Sequence, residues 1–232
     1  MRSSRTCQTP DSPAMRGFTL IELLVVIGVL ALLIVAFAPA IGNALGSGER
    51  AETVARQQGL VTMIEGYQRY YGAYPPDDFS IVDRSRQKDW DFGQDNGRNT
   101  GIESLVMHLS FEPKAGGTLD AHEDWLANTD GDKAPVVIPM LQRQEKMEVV
   151  DSWGTPFAYF SGRVGSGYAQ NQTILAKAIE GGDDLELLAK PVQNPRSAGP
   201  LNPRGFQLIS AGPDMVFGTD DDLIHPPLPV ED

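Results

Sequence analysis

Residues 18–38 read FTLIELLVVIGVLALLIVAFA, 21 residues carrying a single charge, Glu22. At about 1.5 Å of rise per residue, a helix of that length crosses the ~30 Å hydrocarbon core of a bilayer. No other feature constrains the chain as much, because this segment has to be buried in lipid or against another apolar surface. Upstream lie Arg2, Arg5 and Arg16 against one acid, Asp11. Basic flanks stay cytoplasmic, which predicts the N-terminus inside and the bulk of the chain outside. An ordinary secretory signal has a shorter apolar core, about 7–15 residues, followed by small residues at a cleavage site. Ala36, Ala38 and Ala40 supply small residues, but the run is too long. The lone cysteine, Cys7, precedes the run, so a lipoprotein signal is excluded, as is an intramolecular disulfide framework. A carboxylate within such a run is costly and marks Glu22 as a functional position. The bland alternative is an acid snorkelling from the helix end, which a short side chain does poorly.

The local sequence Arg16-Gly17-Phe18-Thr19-Leu20-Ile21-Glu22 resembles the class III signal of the type IV pilin superfamily. The resemblance implies that a prepilin peptidase cuts between Gly17 and Phe18 and methylates the new N-terminus at Phe18. Glu22 then becomes fifth in the mature chain, the family's usual place for its acid. There the amine of a neighbouring subunit neutralises it, which makes Glu22 the predicted assembly residue. Losing residues 1–17 removes three bases and one acid from a chain of net charge −12, leaving −14. Pro39 falls where many family members carry a helix-bending proline. Gly42, Gly46 and Gly48 follow, so weak, bent or locally unwound helix is expected there. Two readings of that stretch stay open, a plain break before a soluble domain and a joint that lets the helix repack.

Val54, Val61, Ile64, Tyr67 and Tyr71 recur at helical spacing within residues 49–71. This predicts an amphipathic continuation of the first helix, ended by Pro75-Pro76. Tyr70 to Pro75 resembles the helix exit of the major pseudopilins of type II secretion systems, and Gly101 to Val106 resembles their short second helix. The stretch Asp151-Ser152-Trp153-Gly154-Thr155-Pro156-Phe157-Ala158-Tyr159 resembles their Asp-Pro-Trp-Gly-x-Pro-Tyr-x-Tyr motif. Read directly, it is a turn leading into a strand, and Phe206 to Ser210 reads as a second strand. Residues 77–99, 107–150 and 161–205 are polar stretches longer than the family's usual ones. They contain two short helical candidates, Thr173–Glu180 and Asp184–Lys190, and a turn at Asn128 to Asp132. That turn fails the EF-hand pattern, because Leu126 would stand in the first ligand position. Trp90 and Trp125 read as buried anchors.

Residues 210–224, SAGPDMVFGTDDDLI, place Asp214, Asp220, Asp221 and Asp222 within nine residues, among turn-forming Gly212, Pro213 and Gly218. Calcium takes six to eight oxygens in flexible loops, and four uncompensated carboxylates would repel one another. The segment also resembles the C-terminal calcium loop of the major pseudopilins, which implies Asp214, Asp220, Asp221 and Asp222 as calcium ligands. The bland reading is a solvated acidic turn.

The acidic balance argues against a nucleic-acid partner. His108, His122 and His225 lie in no zinc motif, and no nucleophile elbow or P-loop is present, so no enzyme activity is predicted. The expected fold class is α+β: a long N-terminal helix on a small antiparallel sheet with extended loops. The expected organisation is a leader at 1–17, a transmembrane helix and filament core at 18–41, an amphipathic continuation at 42–76 and a periplasmic domain at 77–232. The resemblance implies a structural subunit of a type II secretion pseudopilus, anchored in the bacterial inner membrane and polymerising with itself. Its implied partners are the prepilin peptidase, minor pseudopilins and the inner-membrane assembly platform. The alternatives are a surface pilus subunit for adhesion or DNA uptake, and a membrane-tethered binding domain that does not polymerise.

Overall fold

The computed structural model describes residues 19–79, 90–111, 119–162, 168–169, 171–177 and 183–229. The leader, Gly17 and Phe18 lie outside them. Helix α1 spans Leu20–Tyr71, 52 residues. Helical backbone continues through Pro39, Gly42, Gly46 and Gly48, so the local unwinding expected there does not occur. The proline forfeits one helical donor and the glycines weaken the helix, but neither breaks it. The chain divides into two compact units between Leu45 and Gly46, inside this glycine-containing stretch.

In the first unit, Leu20–Phe37 has a mean hydropathy of 3.1 and no part of it is buried within the chain. In the second unit, α1 ends at Tyr71, earlier than the proline pair. Gly72 adopts a left-handed φ of +78°, and its amide donates to the Gln68 carbonyl at 2.8 Å. That is a glycine C-cap, reached without steric penalty because no Cβ is present.

Helix α2 spans Thr100–Phe111, longer than the segment expected, and Gly101 to Ser110 are all buried. A 3₁₀ helix covers Leu119–Trp125. Nine strands follow among the described residues. They are β1 (Leu126–Ala127), β2 (Lys133–Ile138), β3 (Arg143–Glu145), β4 (Glu148–Val149), β5 (Ala158–Ser161), β6 (Gln172–Ala176), β7 (Leu185–Ala189), β8 (Phe206–Ser210) and β9 (Leu223–His225). The central sheet has the order β5-β8-β9 and is antiparallel, with Tyr159 opposite Leu208 and Ile209 opposite Ile224. The pairs β1–β4, β2–β3 and β6–β7 form three separate antiparallel ribbons. The fold class is α+β, as expected, with four small sheets where one was predicted.

Strand alternation divides the core in two. Tyr159, Phe206 and Leu208 face a large cluster with Leu60, Ile64 and Tyr67 of α1 and Ile102, Leu105 and Leu109 of α2. Ala158, Phe160 and Ile209 face a smaller cluster with Ile174 of β6 and Ala189 of β7. The β6–β7 hairpin thus covers the outer face of the central sheet. It overturns both helical candidates: Thr173–Glu180 falls on β6, with residues 178–180 outside the described set, and Asp184–Lys190 falls on β7. Cross-strand pairing such as Thr173 opposite Leu188 outweighs the weak local helix preference.

The α1 stripe is also partly corrected. Val61, Ile64 and Tyr67 are buried, but Val54 is 40% exposed, while Thr53, Arg56 and Gln57 are buried in its place. These polar side chains face inward onto backbone carbonyls and a serine hydroxyl of the domain beneath them. Gln57 Nε2 donates to the carbonyls of Leu208 (3.0 Å) and Leu223 (2.9 Å). Arg56 donates to the Val150 carbonyl at 2.8 Å, and Thr53 Oγ1 donates to Ser152 Oγ at 3.1 Å. The Asp151 turn beneath them is held by its own carboxylate, which accepts from the amides of Trp153 (3.0 Å) and Thr155 (2.9 Å) and from Ser210 Oγ (2.7 Å). Trp90 is half-buried beside Phe92, His108 and Phe111. Trp125 lies on α1 at Gly59, where an added Cβ would come within 2.6 Å of its ring.

Candidate functional site

At the head of α1, Thr19 and Glu22 cap the helix reciprocally. Glu22 Oε2 accepts from the Thr19 amide at 2.8 Å and from Thr19 Oγ1 at 2.7 Å, and the Glu22 amide donates back to Thr19 Oγ1 at 3.3 Å. This is a capping box, which satisfies amide donors that a helix N-terminus otherwise leaves unpaired. Glu22 therefore has a local structural task beside the assembly role assigned from sequence. The Thr-x-x-Glu spacing was the signal for it.

The C-terminal acidic loop connects β8 to β9. Gly212 and Gly218 adopt φ values of +68° and +93°. At Gly212 a Cβ would stand 2.7 Å from the Asp221 carbonyl, so the two ends of the loop close on each other only with glycine there. The carboxylates turn inward on the loop's own backbone. Asp214 Oδ1 accepts from the Val216 amide at 2.8 Å, and Asp222 Oδ2 from the Gly218 amide at 2.8 Å. Asp221 Oδ2 accepts from the Asp214 amide at 3.3 Å, and Asp221 Oδ1 from the Thr219 hydroxyl at 2.5 Å. The Thr219 hydroxyl holds the Asp221 carboxyl below the usual range, whereas burial pushes Asp222 up. Asp220 is exposed. The loop thus ties the Asp221 carboxylate to the Asp214 amide and the Asp222 carboxylate to the Gly218 amide, and leaves the Asp214 and Asp220 side chains exposed.

Asp222 Oδ1 is buried and has no hydrogen-bond partner among the described residues. An orphaned carboxylate oxygen inside an oxygen-rich loop fits a cation such as calcium. Asp222, Asp221 and Asp214 are the side chains that would hold it. Beside the loop opens a cleft of about 490 Å³, lined by Leu188, Val192, Ile209, Phe217, Asp222 and Ile224 among others.

Residues 13–38 match the family model of the prokaryotic N-terminal methylation motif. The chain carries a prepilin-type signal. That signal is type IV pilin-like, and it implies processing by a prepilin peptidase and assembly into a filament in general terms. Together with the apolar helix it describes a single-pass, membrane-anchored protein. No curated protein and no solved structure matches the chain.

Two groups of residues escaped the reading of the sequence. Thr53, Arg56 and Gln57 look like solvent-facing helix positions until the loops they serve are placed. Glu103 and Glu148 are buried acids 45 positions apart. Their only advance signal was an acid among the apolar residues of a short helix.

Proposed function

We propose that this chain is a structural subunit of a type II secretion pseudopilus. Prepilin peptidase removes residues 1–17 and methylates Phe18 on the cytoplasmic side of the inner membrane. The mature chain then polymerises with copies of itself through its apolar helix, and its C-terminal domain stands in the periplasm. Minor pseudopilins and the inner-membrane assembly platform are its partners, and the chain acts as a structural element with no catalytic site. Calcium braces the 210–224 loop through Asp214, Asp221 and Asp222.

The observation that carries the reading is the prepilin-type signal set on a helix that begins at Leu20 and continues into an α+β unit. The Tyr70–Pro75 exit and the Trp153-Gly154-Thr155-Pro156 turn support the pseudopilin branch. The orphaned Asp222 oxygen supports the cation.

The test is the intact mass of the chain co-expressed with a prepilin peptidase, followed by protein export in cells carrying and lacking it. Loss of residues 1–17 with a methyl group on Phe18, and export that fails without the chain, are the expected results. An uncut chain overturns the filament reading. A processed chain whose loss spares export and abolishes a surface filament overturns the pseudopilus in favour of a pilus.

A further inference from the structure

Away from both of these sites, three carboxylates converge in the second unit. One oxygen each from Glu103, Asp130 and Glu148 lies within 4.8 Å of the other two. Glu103 stands in the first turn of α2, Asp130 in the turn between β1 and β2, and Glu148 on β4. Among the described residues this is the one group of three acids so close together.

Glu148 is held by both oxygens: Asn99 Nδ2 donates to Oε1 at 3.0 Å, and the Thr129 amide donates to Oε2 at 3.0 Å. Asp130 is half-buried and accepts from Asn96 Nδ2 at 2.7 Å and from the Asp132 amide at 3.2 Å. Glu103 is different. It is fully buried, its carboxylate points into the group, and neither of its oxygens has a partner among the described residues. A buried carboxylate is tolerated when it is paired, hydrogen-bonded, bound to a metal or neutralised by a proton. The nearby cation is Lys146, but its ammonium is engaged by Asp132 Oδ2 at 2.7 Å and the Gln94 carbonyl at 2.9 Å. Burial, then the charges of Asp132 and Asp130, push the Glu103 carboxyl far above the usual range, and burial does the same to Glu148. With Lys146 already engaged, the three acids either keep protons or take up a divalent cation, which would pair with all three carboxylates at once.

We propose that Glu103, Asp130 and Glu148 form a structural site for a hard divalent cation, calcium, which clips α2 to the β1–β4 ribbon. The donors are all oxygens, with no imidazole or thiolate among them, which selects calcium or magnesium over zinc. Two of the three donors are fully buried, which leaves little room for bound water. Calcium gives up its waters to protein oxygens in a flexible shell, whereas magnesium demands a near-ideal octahedron and retains several waters. Asp130 provides the solvent-facing side, by which the ion enters and a water completes the shell. The site owes nothing to the proposed pseudopilus role or to the acidic loop.

The test uses the full chain in detergent, stripped with a chelator and then given calcium chloride or magnesium chloride. Bound metal is measured by elemental analysis and Tm by calorimetry. A D221N/D222N pair first removes the acidic loop's contribution. In that background calcium should still bind and raise Tm. Adding Glu103→Gln should abolish both effects and leave Tm in chelator unchanged or higher, because a neutral amide replaces a partnerless buried acid. Asp130→Asn, at the half-buried ligand, should also abolish binding without touching the core, which covers the case in which the Glu103 variant fails to fold. Calcium that stays bound in the Glu103 and Asp130 variants overturns the site, as does an absence of calcium from the D221N/D222N parent. An equal response to magnesium overturns the assignment to calcium.

Discussion

The His225 ring stacks on Phe206 with centroids 5.3 Å apart, and burial lowers its pKa while the Glu65 carboxylate works the other way. The native state therefore holds this imidazole neutral at pH values where the unfolded chain, titrating near the ordinary value of about 6.5, has already taken up a proton. Over that window the unfolded state binds more protons, so this contribution to stability is complete above about pH 6.5 and is lost as pH falls toward the folded pKa. His225→Phe, which keeps a stacking ring, should flatten that part of the pH–stability profile measured by denaturant unfolding. Gly101 makes a second argument at this scale. A Cβ there would collide with the Tyr159 carbonyl and the Gln172 side-chain amide, whose Nε2 donates to that same carbonyl at 2.7 Å. Gly101→Ala should destabilise the fold by about 1–3 kcal/mol in the same measurement, because backbone of a buried strand has to move.

The second half of α1 is amphipathic, but it meets the sheet through amides as well as methyl groups. Gln57 is the clearest case, one side chain joining α1 to both β8 and β9 through two carbonyls. Gln57→Leu keeps the bulk and removes both donors. It should cost about 1–3 kcal/mol, for the loss of two buried hydrogen bonds, with the effect read from the unfolding midpoint. The β8–β9 connection carries the other prediction at this scale. Asp222→Asn retains a side chain able to accept from the Gly218 amide but removes the charge a cation requires. It should diminish the calcium-dependent rise in Tm contributed by this loop, measured in a Glu103→Gln background so that the buried site is silent. An unchanged rise would show that the loop does not hold the ion.

Across the whole molecule, division of labour follows solvent. The apolar stretch Leu20–Phe37 is exposed along its length, whereas the unit from Gly46 onward encloses two cores of its own. Assembly should therefore be separable from folding. Glu22→Ala should leave the unfolding transition of the Gly46–Asp232 unit unchanged and abolish filament assembly, scored by electron microscopy and crosslinking. Filaments that persist in the variant would reduce Glu22 to its capping role with Thr19.

The sequence by itself determined the features that depend on near neighbours. The 21-residue apolar run, its single acid and the turn glycines of residues 210–224 all act through local periodicity, charge or backbone freedom, which a linear reading captures. The α+β class was implied by the pilin-like resemblance of the same segments. Tertiary structure alone decided the rest. Pairing across the β6–β7 hairpin made strands of two weak helical candidates, and the carbonyls of Leu208 and Leu223 drew Gln57 inward in place of Val54. The convergence of Glu103, Asp130 and Glu148 belongs here as well. Carboxylates so far apart in the chain interact only once folding has closed the loops between them and removed the water that would have solvated each one separately.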